Sequence, residues 1–275
     1  MKKLMLLTAV AGAVLLLGSC LQVKTVVNVN KDGSGTVEQT FLMKSELIAM
    51  MAGLNSTGDA NSQDSSQGFQ LFDEKQLRAN AADIGQGVTM VKAAPLENDW
   101  GKGYDVVYAF KDINRIHVNQ NPGQGLPSQM AQVPGETKAT QEPDFIRFSF
   151  QRGEPDSLTV NLPAPPRNES SPDATGKGSS MSDEDVSMFT QLYGDMSIGV
   201  DLVFDGTIVR TNAAFHDAHR VTLMDFQFNA LLKNPDFQKE LKDGNSAKLS
   251  NFQNLAQLFP GLKIEPSRTV QVQFK

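Results

Sequence analysis

The sequence predicts an α+β fold in which antiparallel β-hairpins and a meander pack against a few helices. Several runs alternate apolar with polar side chains and are separated by Gly-, Asp- and Pro-containing turns. Between them lie stretches whose apolar residues fall three and four apart. The chain then ends on one more alternating run, Thr269 to Phe274. A period of two marks half-buried strands and a period near 3.6 marks amphipathic helices.

The first predicted hairpin covers residues 23–42. Val23, Thr25, Val27 and Val29 alternate with Lys24, Val26, Asn28 and Asn30, and Thr36 to Phe41 returns. Asp32-Gly33 lies between the two runs, where Gly supplies the positive φ that a tight turn needs. Leu47, Ile48, Met51 and Leu54 then fall at helical spacing over 44–54, and residues 55–68 form a polar loop. A second helix is predicted from Asp73 to Ile84 with Leu77, Ala81 and Ile84 on its apolar face. Val88 to Leu96 and Tyr104 to Ile113 read as strands, and residues 117–143 as a long Gln-, Gly- and Pro-bearing excursion. Phe145 to Phe150 and Ser157 to Leu162 form a hairpin turned at Gly153-Glu154-Pro155-Asp156.

Residues 163–181 are rich in Pro, Ser and Gly and read as a linker. A helix starts at Ser182, whose hydroxyl is placed to cap, with Asp183, Glu184 and Asp185 at the positive end of the dipole. Met196 to Phe204, Thr207 to Phe215 and Arg220 to Phe226 are predicted to form a three-stranded meander with a turn at Asp205-Gly206. Short helices follow over 231–258. The organisation is therefore an N-terminal α+β region (20–162), the linker (163–181) and a C-terminal α+β region (182–275). The pattern leaves open whether the linker divides two domains or bridges one. Val27 to Val37 also echoes Val200 to Val209, each being a strand, an Asp-Gly step and a second strand.

Ahead of this body, residues 1–19 read as an export signal. Met1-Lys2-Lys3 is followed by an uncharged apolar run from Leu4 to Leu17 and by small residues, the pattern of a secretory leader. As a helix the run reaches about 21 Å, short of the ~30 Å hydrocarbon core. Leu17-Gly18-Ser19-Cys20 resembles the bacterial lipobox. That resemblance implies a diacylglyceryl thioether on Cys20, cleavage just before it and further acylation of the new amine. Cys20 is the only cysteine in the chain. Leu21, rather than Asp, follows it, which resembles the outer-membrane sorting default of such lipoproteins where a cell has two membranes.

Composition narrows the function classes. The whole chain carries a net charge of −6. Removing 1–19 takes away Lys2 and Lys3 and no acid, leaving 23 Lys+Arg against 31 Asp+Glu, a net −8. An acidic body is a poor ligand for nucleic acid, whose binding needs a basic patch that releases counterions. It is equally unsuited to a polybasic grip on anionic lipid. Without a second cysteine the body forms no internal disulfide.

The lipobox cysteine, the strand that follows at once, Asp32-Gly33-Ser34-Gly35-Thr36-Val37 and the Met/Leu-rich helix after it resemble the start of LppM-like envelope lipoproteins. Val203 to Ala213 followed by Arg220-Val221-Thr222-Leu223 resembles that family's second hairpin. The resemblance implies an α+β body with antiparallel sheet and an apolar or lipid-contacting groove, and it implies no catalytic residue. The sequence departs from the pattern in having no apolar C-terminal span and in its extra residues at 55–68 and 117–143.

No motif carries a reaction. His216 and His219, with Asp217 between them, read as a solvated turn, since zinc needs three or four ligands in fixed geometry. Asp59, Asn61 and Asp64 lack the Gly and Glu of a calcium loop. Gly33-Ser34-Gly35 lacks the spacing of a nucleophile elbow, and no phosphate-binding Gly-rich loop occurs. No catalytic, cofactor or metal residue is assigned, and Cys20 is the one site residue. The expectation is a membrane-anchored envelope protein with a non-catalytic body that binds an envelope protein or a lipid. The alternatives are a structural subunit of an envelope assembly, or a hydrolase whose acids or His and Ser meet only in the fold.

Overall fold

The computed structural model describes residues 21–49, 71–119, 145–163, 182, 184, 186, 190, 194–243, 259 and 262–275. The predicted signal, Cys20, the predicted loop 55–68, most of 117–143 and 163–181, and all of 244–258 lie outside the described residues.

Twelve described strands form two sheets. They are β1 (Leu21–Val29), β2 (Gly35–Lys44), β3 (Thr89–Glu97), β4 (Gly101–Phe110), β5 (His117–Asn119), β6 (Phe145–Gln151), β7 (Asp156–Asn161), β8 (Ser197–Phe204), β9 (Ile208–Thr211), β10 (Arg220–Gln227), β11 (Lys263–Ile264) and β12 (Thr269–Phe274). The helices described from end to end are α1 (Glu74–Ile84), α2 (Phe228–Leu232) and α3 (Pro235–Lys242), with a 3-10 turn at Ile113–Arg115. One sheet has seven strands in the order β11-β10-β8-β1-β2-β4-β3, the other five in the order β5-β6-β7-β12-β9. All pairings are antiparallel except β1 with β8. The fold is α+β, as the alternation predicts.

The register explains the core of the large sheet. Val221, Leu202, Val27, Val37 and Tyr108 lie directly across from one another on five strands, and none exposes any surface. A second inward row joins Phe226, Ile198, Val23, Phe41 and Tyr104. Helix α1 lies against this inner side. Asp73 caps it, accepting from the Lys75 and Gln76 N–H groups, and the Tyr108 hydroxyl donates to the Leu77 carbonyl at 2.9 Å. Burial pushes the Tyr104 hydroxyl up to about 12 and that of Tyr108 well above the usual tyrosine value. The small sheet meets the large one through Phe274, whose ring lies 4.7 Å from Phe204 and 6.3 Å from Phe150. Exposed sheet edges are short or broken. The outer strands β5, β9 and β11 have two to four residues, and β3 carries Pro95 and a bulge between Met90 and Lys92. Such features discourage further strand addition.

The Asp32-Gly33 step turns the first hairpin. Gly33 has φ 82°, and a Cβ there would come within 2.7 Å of the Phe150 ring, so both backbone and space demand glycine. The predicted helix at 44–54 is seen as helical over 45–49, and the rest lies outside the described residues. Two expectations need correction. His117–Asn119, read as the start of an excursion, is an edge strand, because its single buried apolar residue, Val118, is enough to pair it with β6. The segment 196–226 is not a meander. After β8 the chain turns a corner at Asp205-Gly206 and β9 joins the other sheet beside β12, while β10 comes back to β8. The corner is fixed by the Asp205 N–H donating to Val29 O and the Thr207 N–H donating to Lys275 O. The free side of β8 is taken by β1 instead. The two echoing strands thus lie side by side in parallel, with Val27 opposite Leu202 and Val29 opposite Phe204.

Candidate functional site

The outward side of the large sheet carries a polar row that alternation alone places there. Asp225, Gly199, Lys24, Thr40 and Asp105 lie across from one another, and Thr40 donates to Asp105 at 2.6 Å. The next outward row holds Thr222, Asp201, Val26 and Glu38. Asp201 stands apart from its neighbours, with only 2% of its side chain exposed.

Three residues build the environment of Asp201. Lys24 Nζ lies 2.6 Å from its Oδ2, and Arg220 donates to the same oxygen at 3.3 Å. Gly199, two residues earlier on β8, makes room for the lysine. A Cβ at Gly199 would come within 2.6 Å of Lys24 Cδ and 2.8 Å of its Nζ. The stem of Lys24 therefore lies across the glycine and covers the carboxylate. The other oxygen, Oδ1, is buried without a hydrogen-bond partner among the described residues. Leaving a buried acceptor unsatisfied costs about 1–3 kcal/mol. Chemically the arrangement is a buried carboxylate flanked by two half-exposed cations.

At the far end of the sheet a shallow cleft of about 540 Å³ lies between the β1–β2 and β6–β7 turns. Lys31, Asp32, Arg152, Gly153, Glu154 and Asp156 line it. Two of its acids serve the local turns. Asp32 accepts from the Ser34 hydroxyl and N–H, which hold its carboxyl below the usual carboxylate range. Asp156 accepts from the Gly153 N–H. A general acid needs its carboxyl raised, and Asp32 is moved the other way. The LppM-like resemblance implies an apolar groove, whereas this cleft is lined by charge.

Asp217 makes the turn between β9 and β10 by accepting from the His219 and Arg220 N–H groups, which hold its carboxyl below the usual range. His219 Nδ1 lies 2.6 Å from the Gly206 carbonyl, so the ring braces the corner. His216 makes a β-bridge to Val221. Among the described residues no three His, Cys, Asp or Glu side chains come together as a metal set. Glu265 is buried and accepts from the Ala214 and Ser267 N–H groups, joining the β9–β10 loop to the start of the last strand. Cys20 lies outside the described residues, and its neighbour Leu21 is the first residue of β1.

Sequence reasoning missed the Lys24–Asp201–Arg220 cluster. One local signal was available: Gly199 and Asp201 occupy alternate positions of an otherwise apolar strand, Ile198 to Phe204. The partners were hidden, because Lys24 reaches Asp201 only through the parallel β1–β8 pair.

No protein-family model matches this chain, and no curated protein matches it. Among solved structures, the chain is similar to the folded domain of LppM from Mycobacterium tuberculosis, with 10% identity and a TM-score of 0.34, over 94% of this chain and 92% of that one.

Proposed function

We propose that the chain is a lipid-anchored envelope protein whose folded body binds a partner and catalyses no reaction. The observation that carries this reading is Leu17-Gly18-Ser19-Cys20 at the end of an uncharged apolar run, with Cys20 the single cysteine. Acylation there anchors the chain strongly, since each buried methylene contributes about 0.8 kcal/mol and two or three acyl chains hold where one holds marginally. Among the described residues no helix is long and apolar enough to cross a membrane; in this reading the acyl groups supply the attachment. With Leu21 after the cysteine, the reading places the protein at the outer membrane of a cell that has two.

The binding half of the reading is supported by Asp201. The half-exposed Lys24 and Arg220 beside its buried carboxylate suit a partner, protein or lipid headgroup, that brings an acceptor to them. The test uses the full-length chain in its host. Labelled palmitate enters the wild-type protein and not Cys20→Ser, and only wild type stays with membranes and retains its crosslinked partner. A freely released wild-type product with an unmodified cysteine overturns the assignment.

A further inference from the structure

We propose that one particular end of the large sheet, the end bearing Lys44, Trp100, Lys102 and Asp195, rests on the headgroup layer of the membrane that holds the Cys20 acyl chains. The inference depends on acylation of Cys20 and adds to it a fixed orientation of the body.

The argument begins with the missing spacer. Leu21 is already the first residue of β1, paired with Met43 and 7% exposed. A residue bonded to Leu21 has its Cα about 3.8 Å away. The tether therefore has no slack. It also attaches to the middle of the sheet, since β1 has three strands on either side. A rigid sheet held through its central strand by a link this short stands on the end where the link emerges.

The register then names that end. Leu21 lies opposite Met43, which lies opposite Lys102, and the Ser45 N–H donates to the Trp100 carbonyl at 3.3 Å. Two strand spacings, about 10 Å, thus separate β1 from the turn holding Trp100. Trp100 is half-buried, and it is the only tryptophan in the chain. Tryptophan favours the membrane–water interface, where its ring meets the apolar boundary and its N–H meets water.

Charge does not create this contact. Lys44 is paired with Asp195 at 2.9 Å and Lys102 with Glu97 at 2.7 Å. With Glu46 and Asp99 also at this end, acids outnumber bases among the described residues, so these charges give anionic lipid no net pull. The contact is imposed by the covalent tether and is insensitive to salt. The orientation has a consequence for binding. β1 runs nine residues from Leu21 to Val29, about 26 Å at the usual strand rise. The charged cleft at Lys31, Asp32 and Arg152 is thereby held away from the bilayer, facing the compartment.

Trp100 allows a direct test with intrinsic fluorescence. The full-length acylated protein is placed in phosphatidylcholine vesicles carrying a nitroxide near the headgroup, and its intact mass is measured. Most of the Trp100 emission is expected to be lost, with or without high salt. In Trp100→Phe/Lys31→Trp, which moves the reporter to the far turn, emission is expected to survive. Inserting a Gly/Ser spacer of about 15 residues, which reaches roughly 20 Å, between Cys20 and Leu21 is expected to restore Trp100 emission. An acylated chain whose Trp100 is quenched no more than the Lys31→Trp reporter overturns this orientation alone, as does quenching unchanged by the spacer. A mass showing unmodified Cys20 overturns the orientation and the acylation together.

Discussion

At Asp201 the fold gives up stability at a single residue. One oxygen is shared by Lys24 and Arg220 and the other has no partner among the described residues, although the side chain is 2% exposed. Replacing a buried ion pair with an apolar side chain of similar size is often neutral or stabilising, whereas removing one partner strands a charge. Asp201→Val puts a β-branched residue on a strand between half-exposed Val26 and Val203, and leaves Lys24 and Arg220 free to rehydrate, being 42% and 50% exposed. Its stability should stay within about 1 kcal/mol of wild type or rise. Lys24→Ala leaves the carboxylate with Arg220 alone. It should cost about 1–2 kcal/mol, below the range for a fully buried pair because the lysine is partly solvated. Urea denaturation measures both. If Asp201→Val lost more than Lys24→Ala, the carboxylate would belong to the supports of the fold rather than to a binding face.

Among the elements, β5 shows how three residues hold an edge. His117 sets its ring 4.1 Å from Phe145, the Arg147 guanidinium lies 5.7 Å over that same ring, and His117 and Arg147 are opposite in the ladder. Burial, and then the charge of Arg147, hold the imidazole below its ordinary value of 6.5; a hydrogen bond to the Asp83 backbone opposes this and is outweighed. The folded state therefore disfavours the cation. Its stability is complete above the unfolded value and is lost as pH falls through the lowered folded one. His117→Gln should flatten the drop in melting temperature on going from neutral pH to well below 6.5, and an unchanged drop would remove β5 from the acid response. The elements also show what a sequence can and cannot disclose. The first hairpin, the apolar face of α1 and the Gly33 turn were legible because each depends on residues close in sequence. Asp205-Gly206 has the same two letters as Asp32-Gly33 yet makes a corner, because the carbonyls of Val29 and Lys275, both distant in sequence, accept from the Asp205 and Thr207 N–H groups. β5 was missed because three residues are too few to show a period. The Asp201 cluster was missed because its lysine lies on a strand paired in parallel from the other half of the chain.

Over the whole molecule, both sheets are assembled from both sides of residues 163–181. The large sheet takes β1 to β4 from before that segment and β8, β10 and β11 from after it, and the small sheet takes β5 to β7 and then β9 and β12. The joins are central: β1 with β8 along eight residue pairs, and β7 with β12 along six. Residues 21–162 alone would leave one side of β1 and one side of β7 without a strand. They would also lack Leu202, Val221 and Phe274, which complete the inward rows in the full chain. Such non-local pairings repay their loop-closure entropy only when both halves are present. The full chain should unfold in urea in one transition, with Trp100 emission and far-ultraviolet circular dichroism coinciding. Residues 21–162 and 182–275 should each lack a cooperative transition alone, and mixing them should restore one in part. If residues 21–162 unfolded cooperatively by themselves, the β1–β8 ladder would be a contact between two domains, and the seam through the middle of the sheet would be free to open.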